Sequence, residues 1–266
     1  MSRKSFPVVL GIDERGKDIV LDFGDSWHSA VQGMTRSGKS VLTYLVLSQL
    51  GAFEEVQITG LDPTGVLLGP LKNRPGADLR AITTASMEDH AEVIRGLVAE
   101  MDHRITGLLE AGKDKLEDFT PATPLLLVVL EEYPGVLGAA AAEDSEQARK
   151  PAERTKTKIQ AGVRRLIQEG AKVGIRVLLL AQRMDAEIVG GAERSNLGNR
   201  ITLRVDNADA LRMLHPQADQ DQAALAAKFQ PGHGLIDRPG LDTSRFRTDY
   251  ITYSAYTRVM NREPAA

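Results

Sequence analysis

Cysteine is missing from the 266-residue chain, which excludes a disulfide framework and thiolate metal sites and suits a reducing, cytoplasmic setting. No apolar run approaches the length of a membrane span, and residues 1–10 lack the long apolar region that follows the basic residues of a secretion signal. Work at the inner face of a membrane would therefore depend on a partner protein or on a segment outside this sequence. Positive charge is not in excess either: 33 Lys and Arg stand against 36 Asp and Glu, a net charge of −3. Such a chain is not a generic polyanion binder, so contact with DNA has to come from local basic surfaces or from their repetition in an oligomer. What is present is 42% hydrophobic and 26% charged residues, enough for one large α/β domain with a buried core.

The most informative stretch is Gly33-Met34-Thr35-Arg36-Ser37-Gly38-Lys39-Ser40, which fits G-x-x-x-x-G-K-[ST]. Residues 29–32 can close a short strand ahead of it, and Val41 opens an apolar run of good helix formers that lasts to residue 50. Strand, glycine-containing turn and helix in that order make a phosphate-binding loop. The glycines let successive N–H groups face one concavity, and the positive end of the helix favours an anion. Residues 33–41 are thus the expected nucleotide contacts, with Lys39 on the β- and γ-phosphates of ATP and Ser40 on its Mg²⁺.

Ahead of this loop, residues 7–12 and 18–23 flank a turn at 13–16 and read as an N-terminal β-hairpin within residues 1–26. Beyond it, residues 56–61 form a strand that ends in Asp62, either a water-mediated Mg²⁺ contact or a turn initiator. Residues 64–76 read as loop and 81–83 as a short strand. Apolar residues at Val93, Leu97, Met101, Ile105 and Leu108, behind a capping pattern at Ser86 to Asp89, predict a helix over 86–112. Arg95 and Arg104 fall off its apolar stripe and read as exposed. Residues 124–130 are continuously apolar, as in the buried middle of a parallel sheet, and run into Glu131 and Glu132. Glu131 would face Mg²⁺ and Glu132, turned the other way by strand alternation, the attacking water as general base; the alternative is a solvated acidic turn.

Residues 137–158 are Ala-rich, then charged, without apolar period, and read as a mobile insertion. An amphipathic helix resumes at Ile159, with Lys158, Arg165 and Lys172 on its polar face, either solvated or turned toward an acidic partner. Residues 174–183 are the next buried strand and carry Gln182, placed to sense the γ-phosphate. Loop and short helix over 184–199, strand 200–205, helix 208–214, turn 231–234, strand 235–237 and a closing segment at 246–252 come next, before a loose tail at 261–266. Arg183, Arg194 and Arg200 surround the loop after Gln182. They either pair with Asp185, Glu187 and Glu193 or hold DNA phosphates.

GMTRSGKS at 33–40, LDP at 61–63, VVLEEY at 128–133, GIRVLLLAQR at 174–183, NRITLRVDNADALRML at 199–214 and PGHGLI at 231–236 together resemble, in order and spacing, the motor domain of FtsK/SpoIIIE-type DNA translocases. The short EEYPG, the Ala-rich stretch and the residues after Gln182 look most like the single-protein translocases that move double-stranded plasmid DNA between mycelial bacteria. The resemblance implies an α/β, RecA-like P-loop NTPase core with a mostly parallel sheet over residues 1–260. It also implies a hexameric ring, ATP held between subunits, duplex DNA in the pore, and service in conjugation or chromosome segregation. On matching positions Lys39 and Ser40 hold phosphate and Mg²⁺, Glu131 is the metal-side carboxylate, Glu132 the base and Gln182 the sensor; ring ATPases also offer a neighbour's ATP an arginine, here Arg95 or Arg104. One residue departs: the family usually has Asp where this chain has Glu131, which brings altered turnover, and a nucleotide-binding scaffold, into play. Related motors of secretion machines move polypeptide, and the phosphate site does not separate the two. The family's winged-helix DNA reader and membrane-anchoring region are not visible, as in a compact version or an excised motor.

Overall fold

A computed structural model describes residues 4–82, 86–184 and 190–262, which fall into two compact units, one drawn from residues 1–53 and 180–266 and the other from 54–179. The first opens with β1 (Pro7–Asp13) and β2 (Asp18–Asp22), the expected antiparallel hairpin. The ladder slips between Val9 and Gly11, and the side-chain amide of Gln49 serves Val9 instead: its Oε1 accepts the Val9 N–H at 2.9 Å and its Nε2 donates to the Val9 carbonyl at 2.8 Å. Gln49 lies on α1 (Lys39–Leu50), so this amide docks the hairpin on the helix that comes after β3 (Ser29–Gln32).

The second unit begins with β4 (Val56–Asp62), β5 (Arg80–Ile82), α2 (Met87–Glu110) and β6 (Leu125–Leu130), and continues through α3 (Tyr133–Glu146) and α4 (Thr155–Glu169) into β7 (Ile175–Ala181), whose last two residues belong to the first unit. Its strands run in the order β7-β6-β4-β5, all parallel, and all six residues of β6 are buried, as their unbroken apolar run requires. Ser86 caps α2 with the capping box its sequence announces, Asp89 returning the bond to the Ser86 N–H at 3.0 Å.

Three expectations change here. Residues 137–158 are not a loose insertion: most belong to α3 and to the start of α4, organised by the buried carboxylate of Asp144. It accepts N–H groups from Thr155 and Lys156 at 2.8 and 3.1 Å, where the first turn of α4 lacks helical acceptors, and pairs with Arg149 at 2.9 Å. The polar face of α4 meets acids of α2: Lys158 lies 3.1 Å from Glu88 and Arg165 2.7 Å from Asp102. Lys158 holds the Glu88 carboxyl below its ordinary range.

Arg104, in turn, is buried, not exposed: Nη1 donates to the carbonyls of Pro124 and Val173 at 2.9 and 3.1 Å, and Nε to Glu100 at 2.7 Å. Arg95, off the stripe as expected, is exposed and ion-paired with Glu92. Arg104→Ala should therefore lower unfolding free energy by about 2–4 kcal/mol, since two buried carbonyls lose their donor. Arg95→Ala should leave the urea midpoint where it was.

The chain completes the first unit with α5 (Gly191–Asn196), β8 (Asn199–Thr202), α6 (Ala208–Leu214), α7 (Gln220–Ala226), β9 (His233–Asp237), β10 (Ser244–Thr248) and α8 (Tyr253–Met260). Its strands lie in the order β2-β1-β10-β9-β8-β3, parallel at β3 and β8 and antiparallel elsewhere. Val205, Leu211, Ala226, Phe229 and Leu235 pack the core under α6 and α7. None of the described helices is long and apolar enough to cross a membrane.

Candidate active site

Strand β3 hands over to α1 through residues 33–38, and the backbone of that turn is fixed at both ends. The Gly33 N–H donates to the Ala181 carbonyl at 3.2 Å, the Met34 N–H to the Arg204 carbonyl at 2.9 Å, and the Ser37 carbonyl accepts the Gly232 N–H at 2.8 Å. Gly38 has φ 100°, and a Cβ there would lie 2.6 Å from the Gly232 nitrogen, so both conformation and space demand glycine. At Gly33 a Cβ would sit 2.6 Å from Ser37 Oγ. Arg36 takes φ 63°, a left-handed conformation that costs a non-glycine residue about 1–2 kcal/mol. Anchored this way, the loop leaves the N–H groups of Thr35, Arg36, Gly38 and Ser40 without an acceptor among the described residues. N–H donors left open at the start of a twelve-residue helix, beside Lys39 and the exposed Ser40, fit a polyphosphate and its divalent cation.

Gln182 is exposed and stands between two residues tied to the loop. Ala181 holds Gly33, and the Met184 N–H donates to Gln32 Oε1 at 3.2 Å. Gln32, buried just ahead of the loop, donates from Nε2 to Thr202 Oγ1 and to the Ala210 carbonyl, both at 2.9 Å. The strand end carrying Gln182 is thus locked to the phosphate loop through backbone and a buried amide. Sequence reasoning misses Gln32 as the locking partner, because by position it reads only as the polar end of a strand.

In the second unit the carboxyl ends of β4 and β6 bring Asp62, Thr64 and Glu131 together. Asp62 is fully buried and accepts four backbone N–H groups: those of Thr64 (3.1 Å) and Gly65 (2.8 Å) on Oδ1, and of Leu67 (2.8 Å) and Leu68 (2.7 Å) on Oδ2. The Thr64 hydroxyl lies 2.9 Å from both Asp62 Oδ1 and Glu131 Oε2, and its one proton serves one of them at a time. Burial pushes the Asp62 carboxyl upward, but hydrogen bonds with Glu131, Leu68, Thr64 and Gly65 outweigh it and hold it below its ordinary 3.8. Asp62 is therefore the organiser of its turn. Glu132 stands just past the end of the strand with φ 42° and ψ 48°, capping α3 ahead of Pro134, so a left-handed turn and not strand alternation separates it from Glu131. Such a residue in αL marks a position whose conformation is imposed by its surroundings.

The FtsK/SpoIIIE family model matches residues 1–228. The chain belongs to the FtsK/SpoIIIE family. It is 26% identical over 279 aligned positions to the DNA translocase FtsK of Chlorobaculum tepidum, covering 98% of this chain and 32% of that protein. It is 24% identical over 218 to the DNA translocase SftA of Bacillus subtilis, covering 77% and 21%. The chain thus spans about a fifth to a third of these curated relatives. In fold it is similar to the pCW3 conjugation coupling protein TcpA, solved with ATPgS (TM-score 0.73, 20% identity, 99% of this chain and 72% of that one). It is also similar to the cytoplasmic domain of the Thermomonospora curvata Type VII secretion ATPase EccC (TM-score 0.70, 21% identity, 99% and 31%).

The arginines of this FtsK/SpoIIIE-family chain are placed unequally. Arg200 donates from Nε to the Leu197 carbonyl at 2.9 Å and from Nη2 to the Arg194 carbonyl at 3.0 Å, so its guanidinium closes the end of α5. Arg183 is exposed, with Nε 3.4 Å from the sulfur of Met213, and Arg194 is half-buried on α5. Glu193 is buried, while Asp185 and Glu187, the other expected partners, lie outside the described residues.

Proposed function

We propose that this chain is an ATP-driven motor that translocates double-stranded DNA as a hexameric ring, in plasmid transfer or chromosome segregation. The observation that carries the reading is the anchored phosphate loop, with its unanswered N–H groups and the Gln182 strand end locked to it, in a chain of the FtsK/SpoIIIE family. Lys39 and the loop N–H groups hold the β- and γ-phosphates; Ser40 is assigned the Mg²⁺ contact and Glu131 the metal-side carboxylate, and the ion would neutralise phosphate charge as the γ-phosphoryl leaves. Glu132 takes a proton from the attacking water, and Gln182 hydrogen-bonds the water or a γ-phosphate oxygen. Arg95, the exposed one of the pair on α2, is assigned the neighbour's γ-phosphate, at the expense of its Glu92 pairing. A partner protein at the membrane would place the ring there.

Arg183 and Arg194 are proposed to hold DNA phosphates. A ring repeats each of them around one pore, which concentrates positive charge that the chain as a whole lacks. In duplex-binding titrations at several salt concentrations, Arg183→Ala and Arg194→Ala should weaken binding to all sequences alike and flatten the salt dependence by about one unit of log–log slope for each phosphate left without its arginine. Unchanged affinity and slope in both variants, with assembly intact, would remove DNA from this loop. EccC is a secretion ATPase, and a polypeptide substrate is the second reading; it predicts no salt-dependent duplex binding at all.

A further inference from the structure

Two tyrosines that the phosphate chemistry does not use stand exposed at the end of the first unit: Tyr250, 79% exposed, and Tyr253, 45% exposed. Tyr253 is the first residue of α8, which Thr252 caps by accepting the Ala255 N–H at 3.1 Å. Its ring lies 5.4 Å from that of Tyr44 and 6.1 Å from that of Tyr256, and Tyr44 and Tyr256 are themselves stacked at 4.7 Å with 21° between their planes. Both of those are buried, so the inner rings form a fixed backing and Tyr253 remains half in solvent on top of it.

Position ties this cluster to the phosphate loop. Tyr44 is on α1, four residues past Ser40, so it sits one turn along the same side of the helix, about 6 Å from the loop's end measured on the axis. The chain leading to Tyr250 passes the loop as well: Ser37 accepts the Gly232 N–H at 2.8 Å, and the Gly232 carbonyl accepts the Thr248 N–H at 2.8 Å, two residues before Tyr250. The exposed ring of Tyr253, backed by two buried rings and carried on a helix packed against α1, offers what a base needs, an apolar face of its own size and a low ordering cost.

We propose that Tyr253, backed by Tyr44 and Tyr256, and the neighbouring Tyr250 are the platform on which the purine base of the bound nucleotide stacks. The inference rests on the nucleotide reading of the phosphate loop. Stacking recognises a π-face and not a hydrogen-bonding edge, so the site takes ATP and GTP with similar affinity.

The test compares ATP with inorganic tripolyphosphate, which has the phosphates and no base, by calorimetry on the full chain. Tyr250→Ala/Tyr253→Ala should weaken ATP about tenfold or more and leave tripolyphosphate unchanged, and Tyr253→Phe should bind both as the parent does. Parental ATP affinity in the double variant overturns the platform, and so does an equal loss for both ligands, which would make the tyrosines supports of the loop. Lys39→Ala separates this inference from the reading beneath it. Loss of both ligands there upholds the phosphate loop whatever the tyrosines do, and retention of both overturns loop and platform together.

Discussion

Lys39→Ala should lose ATP binding altogether, whereas Glu132→Gln should bind ATP as the parent chain does and hydrolyse it about 10²–10⁴ times more slowly. The two differ because the role proposed for Lys39 is with charge already present on the bound phosphates, whereas the role proposed for Glu132 is with a proton that moves only in the transition state. The loop makes the first change severe: its N–H groups are neutral donors, and Lys39 is the cation at the start of α1. The second change is sterically quiet. Gln occupies the same volume, and the left-handed turn that caps α3 is held by the backbone of residue 132, whose carbonyl accepts the Gly135 N–H at 2.7 Å. Nucleotide binding by fluorescence titration and phosphate release under saturating ATP check the pair. Parental hydrolysis in Glu132→Gln would show that the base is elsewhere.

Asp62→Ala should be among the most destabilising single changes in the chain, about 3–5 kcal/mol out of a total that for domains of this kind is about 5–15 kcal/mol. Removal of the carboxylate strands the N–H groups of Thr64, Gly65, Leu67 and Leu68 in a buried turn, and the Thr64 hydroxyl keeps only Glu131. Asp62→Asn retains one acceptor oxygen and should fall between. Acid should reproduce part of the effect. The folded-state value of Asp62 lies below its ordinary 3.8, so its contribution is complete above about pH 4 and disappears as pH falls through the lower folded value. Urea midpoints measured from pH 7 down to pH 3 should therefore decline at the acid end in the parent and less steeply in Asp62→Asn; parallel profiles would deny Asp62 that role.

The phosphate loop, the hairpin, the buried strand of residues 125–130 and helix α2 with its cap are all written locally, in spacing and in the residue types that a turn or a cap requires. Other features depend on groups far apart in sequence. Arg104 reads as a surface residue by helical position, yet carbonyls 20 and 69 residues away receive its guanidinium. Residues 137–158 read as loose because alanine gives no hydrophobic period, although it favours helix, and because a single carboxylate, Asp144, organises the first turn of α4. Helices α7 and α8, at seven and eight residues, are too short for a period to show, and their signal is in the caps at Asp219 and Thr252. Asp62 before Pro63 reads equally as metal contact or turn; only the positions of Leu67 and Leu68 decide that its oxygens are already occupied.

Coupling of ATP turnover to duplex DNA is what the proposed motor requires. Its most direct test is the steady-state rate of phosphate release by the purified chain at saturating ATP, with and without duplex DNA long enough to pass through a ring. The rate should rise clearly with duplex, a rise absent in Lys39→Ala and suppressed in Glu132→Gln. Equal rates with and without duplex, in a chain that binds and hydrolyses ATP, would contradict it.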